Sequence, residues 1–485
     1  MKNILIAIRS IFKKGRHNVM KIVSLGIGLA VGLVLIAKVY FEQSYDDFYP
    51  DRDRVYQVWA KYQQNGGELK DYPQTSGGIA PTMQQQIPEI ETVTRYTSFG
   101  AWTLPLTDTK MKYSGRCIIA DSCFFDILPR PMLIGNAKEV LSTPMYVLIS
   151  SRIAKNIGGD VIGKNFTVDN SPGRTMTIGG VFEEVPENSH SRYDVIVSMA
   201  SAGRFMWEGS PTNMLGNDRY ISYVKLHKGV NPLALEEQVR TFVNSYFPPE
   251  EQQKVGLSID FSFHKLDNLH KELPQVKRMT WILSLLAFAL IFTAVMNYIL
   301  IVISSIVNRS KEVAVHKCYG ASENNIHGMM FGEALVHIVL SLILALLLIL
   351  AFRGTVEELL ATSLDSLLLS NGSLVLLGIC ILVFFVSGFM PGSLYARIPV
   401  ASAFRNYREN KRIWKKALLL VQFVATGFLV TMLVFVARQY TFMVNDRPGY
   451  AYENLAYCGL AGVDSTSRAK ILDEVMRLPG VAAAT

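Results

Sequence analysis

Five apolar runs, separated by polar stretches of very different length, set the plan of this chain. The longest reads Trp281–Val307, 27 residues without a charge, against the roughly 20 that a bilayer-crossing helix needs. Ile22–Tyr40, Leu335–Phe352, Leu374–Met390 and Ala417–Val436 predict four more spans, the fourth closed by Pro391-Gly392, which cannot readily continue a helix. Between the first two spans lies a polar block, residues 41–280, long enough to bury its own core, with room for two subdomains. Alternating or β-branched runs at Arg54–Ala60, Tyr146–Ser150, Arg174–Val181, Tyr193–Ser198, Tyr220–Leu226 and Leu257–Phe263 predict strands, and Leu233–Tyr246 predicts a helix. The fold class is an α-helical transmembrane bundle of five helices with a large α+β extracytoplasmic domain inserted between helices 1 and 2.

Charge orients this plan. The chain is half hydrophobic with a net charge of +8, a value that in a soluble protein points to nucleic acid. Its distribution excludes that reading. Residues 1–21 carry six Lys/Arg and no acid, and 396–416 carry seven with only Glu409, so the remainder is net acidic. Positive charge beside apolar runs places 1–21, the 308–334 loop and 391–416 on the cytoplasmic side; 41–280, the net acidic 353–373 loop and 437–485 fall outside. Ile4, Ile8, Ile11 and Phe12 share one helical face, with Lys2, Arg9, Lys13 and Arg16 beside it, as in a segment lying on the membrane surface. Val400, Phe404 and Tyr407 form a second such stripe. A signal peptide is rejected because the basic part is too long and no small-residue cleavage site follows. Tyr40, Phe41, Tyr45, Phe48 and Tyr49 suit the water–lipid boundary.

Little here suggests catalysis. The chain has no GxxxxGK[ST], HExxH, GxSxG or zinc-type Cys/His spacing. Cys380 reads as packing; Cys117 and Cys123 form a disulfide only if their domain faces an oxidising compartment, which the sequence leaves open. His264 and His270 read as structural rather than as ligands. Charged residues that would line an ion path are missing from the predicted helix centres. Ser24, Gly28 and Gly32 recur at four-residue spacing, either as a close helix-packing face or as glycines merely tolerated in a membrane helix. Asn297 suits a hydrogen bond to a neighbouring helix better than a substrate contact.

The loop after the second span is the most specific stretch: Arg309-Ser310-Lys311-Glu312, then Lys317, then Gly320-Ala321-Ser322. Physically it predicts a short amphipathic helix from Arg309 to Tyr319, stopped by Gly320 in the left-handed region, with Ser322 capping the next helix. From spacing alone an ordinary charged turn fits as well. The loop resembles the one following the second helix of the MacB/FtsX-type ABC transporter permeases, with Cys318-Tyr319 a mild departure before the glycine. The polar block resembles the same family's periplasmic domain in Tyr45-Asp46, Asp53-Arg54-Val55-Tyr56, Asp121 with Phe124-Phe125-Asp126, Ser150 with Ala154-Lys155, Gly163-Lys164, Gly180-Val181-Phe182 and Pro186-Glu187-Asn188-Ser189-His190; the family's Phe-Gly is Ile157-Gly158 here.

The resemblance implies a non-catalytic permease subunit in a bacterial inner membrane, with its amino terminus in the cytoplasm. A separate cytoplasmic ABC ATPase binds the ATP, and the permease holds no cofactor or metal of its own. Arg309, Lys311, Glu312, Lys317, Gly320, Ala321 and Ser322 fall at the family's ATPase-docking positions. Implied partners are that ATPase, membrane lipids, a periplasmic adaptor or envelope protein, and a second permease half in cis or by dimerisation; nucleic acid is not among them. The work done is drug or peptide efflux, or lipoprotein and envelope work. The alternative is a sensor relaying an outside signal to a kinase or envelope hydrolase. Leu472 and Leu478-Pro479-Gly480-Val481 after the fifth span parallel Met83 and Ile87-Pro88-Glu89-Ile90 after the first, so the chain reads as one full unit and the start of a second repeat, cut short.

Overall fold

The computed structural model describes residues 17–107, 111–168, 171–368, 372–396, 398–401, 413–445, 455–458 and 465–484. Two compact units result, one of membrane-type helices (1–44 and 273–450) and one built on 45–272. The basic surface stripe around Ile4–Arg16, and Phe404 and Tyr407 of the second, lie outside the described residues.

The helical unit comprises α1 (Asn18–Gln43), α2 (Pro274–Ser304), α3 (Ile306–Cys318), α4 (Glu323–Ala351), α5 (Arg353–Leu360), α6 (Leu364–Leu368), α7 (Ser373–Ala396) and α8 (Ile413–Asn445). Five of these, α1, α2, α4, α7 and α8, are long and apolar enough to cross a membrane. Hydropathy sees only the apolar middle of a helix, so most of them run beyond the predicted spans. α4 starts twelve residues before Leu335, because Ser322 accepts a hydrogen bond from the Asn325 amide and Glu323 favours the positive end of the helix. α2 ends at Ser304, short of the predicted Val307, at a joint where the Ser305 hydroxyl bonds the Val302 carbonyl at 2.6 Å.

Two expectations for the later helices fail. Pro391 does not close the fourth span: α7 runs through it to Ala396, with Pro391 and Gly392 buried. A Cβ on Gly392 would come 2.7 Å from His327 Nδ1, so the glycine lets α4 approach α7 closely beside the proline. The segment 353–373, expected as a short external loop, carries α5 and α6, capped in part by Glu357, whose Oε1 accepts from the Leu364 amide at 2.9 Å.

α1 packs against α2 along its small residues. A Cβ on Gly28 would sit 2.2 Å from Ala294 Cβ, and one on Gly32 would sit 2.4 Å from Ile291 Cγ1. Ser24 instead turns its hydroxyl to the Lys21 carbonyl of its own helix. Half-buried Asn297 makes no hydrogen bond to another helix among the described residues; the next residue, Tyr298, makes one, placing its hydroxyl 3.2 Å from His337 Nδ1 of α4.

The second unit is organised on one sheet. Its strands are β1 (Val55–Gln64), β2 (Lys70–Tyr72), β3 (Ile90–Pro105), β4 (Lys112–Ala120), β5 (Met132–Ile134), β6 (Tyr146–Ser150), β7 (Asn165–Val168), β8 (Ser171–Phe182), β9 (Val195–Ser198), β10 (Ile221–Leu226) and β11 (Leu257–Lys265). They run in the order β11-β1-β10-β3-β4-β9-β6-β8-β5, with β2 on β1 and β7 on β8. The continuous sheet replaces the expected pair of subdomains; two apolar clusters lie toward its opposite ends and a third runs along it from β1 to β8.

The aromatic cluster is likewise reassigned. Tyr49 is 2% exposed and packs with Phe48 into a core of this unit, while Tyr45 stacks on His270 with ring centres 3.4 Å apart. Asp46 takes a left-handed φ of 60° and is clamped by the family-type segment beyond β8. Its Oδ2 lies 2.7 Å from His190 Nδ1, and its Oδ1 accepts from Ser189 Oγ at 3.1 Å. The motifs at 45–46 and 186–190 thus form one joint where the chain enters the sheet. His264 stacks on Trp59 and is kept below the usual imidazole range by burial. Cys117 and Cys123 do not pair: Cys117 is fully buried, and Cys123 donates to the Val93 carbonyl.

Candidate functional site

The segment 305–323 is built so that one side of α3 is committed and the other bare. Arg309, Val313 and Lys317 recur at four-residue spacing and face the bundle. Val313 and Ala314 are 1% exposed, and both flanking cations have internal partners. Arg309 Nη2 lies 2.8 Å from Glu333 Oε2 of α4, and the guanidinium sits 5.4 Å from the ring centre of Tyr395 on α7. Lys317 Nζ donates to the carbonyls of Ala396 at 2.7 Å and Ile398 at 2.9 Å, satisfying the carboxyl end of α7, where unpaired carbonyls attract a cation. Two of the expected docking side chains are therefore spent inside the bundle.

On the opposite side Lys311, Val315, Cys318 and Tyr319 are exposed, Tyr319 by 89%, with His316 at the margin. Glu312 is half-buried, 3.6 Å from Arg309 Nε. The helix stops as its glycine predicts. Gly320 has φ 86°, its amide bonds the Lys317 carbonyl at 3.0 Å, and the Ala321 amide reaches back to the His316 carbonyl at 3.0 Å. That pair of bonds is the Schellman stop, which a Cβ at Gly320 would strain. Ser322 then starts α4 two residues on, so α3 and α4 are joined by a short turn.

Behind this element lies a polar cluster absent from the sequence reading. Lys21 Nζ of α1 is 3.6 Å from Glu333 Oε1 and 3.3 Å from Asn18 Oδ1; His337 Nε2 is 3.2 Å from the same Asn18 oxygen. Lys21, Glu333 and His337 are buried; the two charged side chains lie outside the predicted spans yet within the observed helices, and Lys21 belongs to α1 rather than to a surface segment. The signal was available: Glu333 and His337 stand at i, i+4 on one face of an otherwise apolar helix. It was hidden because the apolar run starts at Leu335, which leaves Glu333 outside the apparent span. Among the described residues no group of His, Cys, Asp and Glu is placed to hold a metal.

The fold and this element define a membrane subunit with a large extracytoplasmic domain, and comparison with known proteins gives the family. Residues 20–242 match the family model of the MacB-like periplasmic core domain, and 284–400 match that of the FtsX-like permease carboxyl-terminal region. The chain belongs to the MacB/FtsX-type ABC transporter permeases. Among solved structures, a permease-protein domain from Porphyromonas gingivalis is 33% identical, with 45% of this chain and 91% of that one covered and a TM-score of 0.41. The periplasmic region of MacB from Actinobacillus actinomycetemcomitans is 16% identical over 45% and 91% of the two chains, at 0.30. The extracellular domain of the noncanonic ABC-type transporter YknZ from Gram-positive bacteria is 11% identical over 42% and 98%, also at 0.30. No curated protein matches the chain.

Proposed function

We propose that this permease receives force from a separate cytoplasmic ABC ATPase at α3 and passes it to its extracytoplasmic domain. The two-sidedness of α3 carries the reading. A helix pinned to α4 and α7 by Arg309 and Lys317, yet showing Lys311, Val315 and Tyr319 on its outer side, is anchored for transmission and open for a partner. An aromatic and an aliphatic side chain exposed beside a lysine make a small apolar patch with a polar rim, the composition of a protein interface.

On this reading α3 and the basic stretches at 1–21 and 391–416 face the cytoplasm, in line with the positive-inside pattern of a bacterial inner-membrane protein. ATP is bound by the partner alone. The outcome is export of a drug or peptide, or work on a lipoprotein or envelope protein, through an adaptor and a second permease half. The docking roles divide: Lys311, Glu312 and Tyr319 meet the ATPase, whereas Arg309, Lys317, Gly320, Ala321 and Ser322 shape and brace the surface.

The test is affinity capture of the intact protein from gently solubilised membranes, followed by an ATPase assay of the bound fraction. Lys311→Glu combined with Tyr319→Ala is expected to lower captured ATPase about tenfold or more, since anchor residues carry most of an interface's energy. Capture of a kinase or hydrolase instead, with the variants silent, replaces this reading by the sensor one.

A further inference from the structure

Helices in hydrocarbon have little reason to keep register through apolar contacts, because lipid tails solvate an apolar side chain as well as another helix does. Such a contact transmits a push and slides under a pull. A buried ion pair differs, since separating it strands charge in a medium of low dielectric constant. Where such pairs cross between helices, they decide which helices move together.

Glu333 of α4 is the hub of one such contact. Its two oxygens take different helices: Oε2 meets Arg309 of α3 at 2.8 Å, and Oε1 faces Lys21 of α1 at 3.6 Å, with all three side chains at most 7% exposed. The link to α1 is doubled one turn along α4, where His337 reaches Asn18. α1 is also the helix whose carboxyl end leads directly in sequence into the extracytoplasmic domain.

We infer that Arg309, Glu333 and Lys21 form a tie that bears tension, making α3, α4 and α1 move as one body when a partner acts on α3. They are positioning residues, and the inference rests on the docking reading above. Under it the ATPase can pull the extracytoplasmic domain as well as push it, because the tie holds in both directions.

The test uses the full chain with its captured ATPase in lipid nanodiscs, with Cys318→Ser and Cys458→Ser to remove the exposed competing thiols. Spin labels at His316→Cys on α3 and Val19→Cys on α1, both at exposed positions, report the distance between the two helices. With the tie intact, that distance stays the same with and without a non-hydrolysable ATP analogue, and the permease alters the ATPase's affinity for the analogue about tenfold. Lys21→Met cuts the ionic link to α1 and leaves the Arg309–Glu333 pair, and with it the docking helix, in place. Lys21→Gln, which keeps a polar side chain beside Asn18, is the milder second variant. Both are expected to capture ATPase as before while the label distance becomes nucleotide-dependent and the affinity effect is lost.

If both variants capture ATPase and keep the fixed distance and the affinity effect, the tie is overturned. It is also overturned if both lose capture, since Lys21 would then act in docking or folding. Failure of the unaltered protein to capture any ATPase defeats the docking reading instead, which separates the two claims.

Discussion

A cation near a helix end either faces a partner or satisfies a neighbour's carbonyls, and Lys317 does the second, which the sequence could not reveal because Ala396 and Ile398 lie some eighty residues away. Asp51 in the extracytoplasmic unit shows the same dependence on distant partners. Hydrogen bonds from Arg54, and then from Lys225 at 2.6 Å, hold its carboxyl down at about 2. A carboxyl that titrates near 3.9 in the unfolded chain and lower in the fold adds stability above about pH 4, and that stability is lost as pH falls from there to about 2. The side chain is 36% exposed, so solvent screens the pair and the effect is modest. Asp51→Asn is therefore expected to lower stability slightly at neutral pH and to flatten the acid limb between about pH 4 and 2. Denaturant titrations of the solubilised protein, followed by tryptophan fluorescence at several pH values, measure both; an unchanged acid limb would show the pair to be idle.

For whole elements, the difference between what a sequence announces and what it hides becomes physical. The apolar runs named five helices because a bilayer demands a length of apolar residues that little else in a chain imitates. The ends of those helices were hidden, since polar turns such as 323–334 continue a helix beyond the apolar run, and with them went Glu333. In the sheet, short apolar, β-branched runs such as β6 were legible. β3 and β4 were not: β3 breaks its alternation at an irregularity between Ser98 and Ala101, and β4 opens with Lys-Tyr-Ser-Gly-Arg before its apolar half. The α1–α2 seam was visible as spacing but not as contact, and the contact makes the two glycines unequal. A Cβ at Gly28 meets the Cβ of Ala294, which cannot swing away, while one at Gly32 meets the flexible end of Ile291. Gly28→Ala is expected to cost about 1–3 kcal/mol by forcing the helices apart, and Gly32→Ala less, because Ile291 can change rotamer. Thermal unfolding of the solubilised protein, with Ser24→Ala as the neutral control, ranks the three; equal losses at both glycines would deny the rigid contact at Ala294.

On the scale of the molecule, α1 is gripped at both ends by charged contacts to different elements. At its start Lys21 meets Glu333 of α4; near its end Lys38 Nζ lies 2.7 Å from Glu42 Oε1 and 2.8 Å from Thr362 Oγ1, between α5 and α6. All the side chains at the far grip are buried, and the Lys38 ammonium also stands 5.0 Å from the Phe41 ring centre. The two ligands of Lys38 are not equivalent. Glu42 balances its charge within α1, whereas Thr362 is the one that crosses to the α5–α6 segment. Removing the crossing ligand should release that segment without stranding a charge, while removing the lysine takes a buried cation from beside Glu42. Thr362→Val, nearly isosteric, is thus expected to cost about 1.5–3 kcal/mol locally, the worth of a hydrogen bond to a charged group. Amide exchange in 353–368 should speed up about tenfold or more, since each 1.4 kcal/mol of opening energy is tenfold, while the β-sheet stays protected. Lys38→Met should instead destabilise the whole helical unit by about 3–5 kcal/mol, as breaking a buried ion pair does. Hydrogen exchange read by mass spectrometry separates the two patterns: if Thr362→Val leaves 353–368 as protected as before, the segment is held by apolar packing and α1 has only its one charged grip at Glu333.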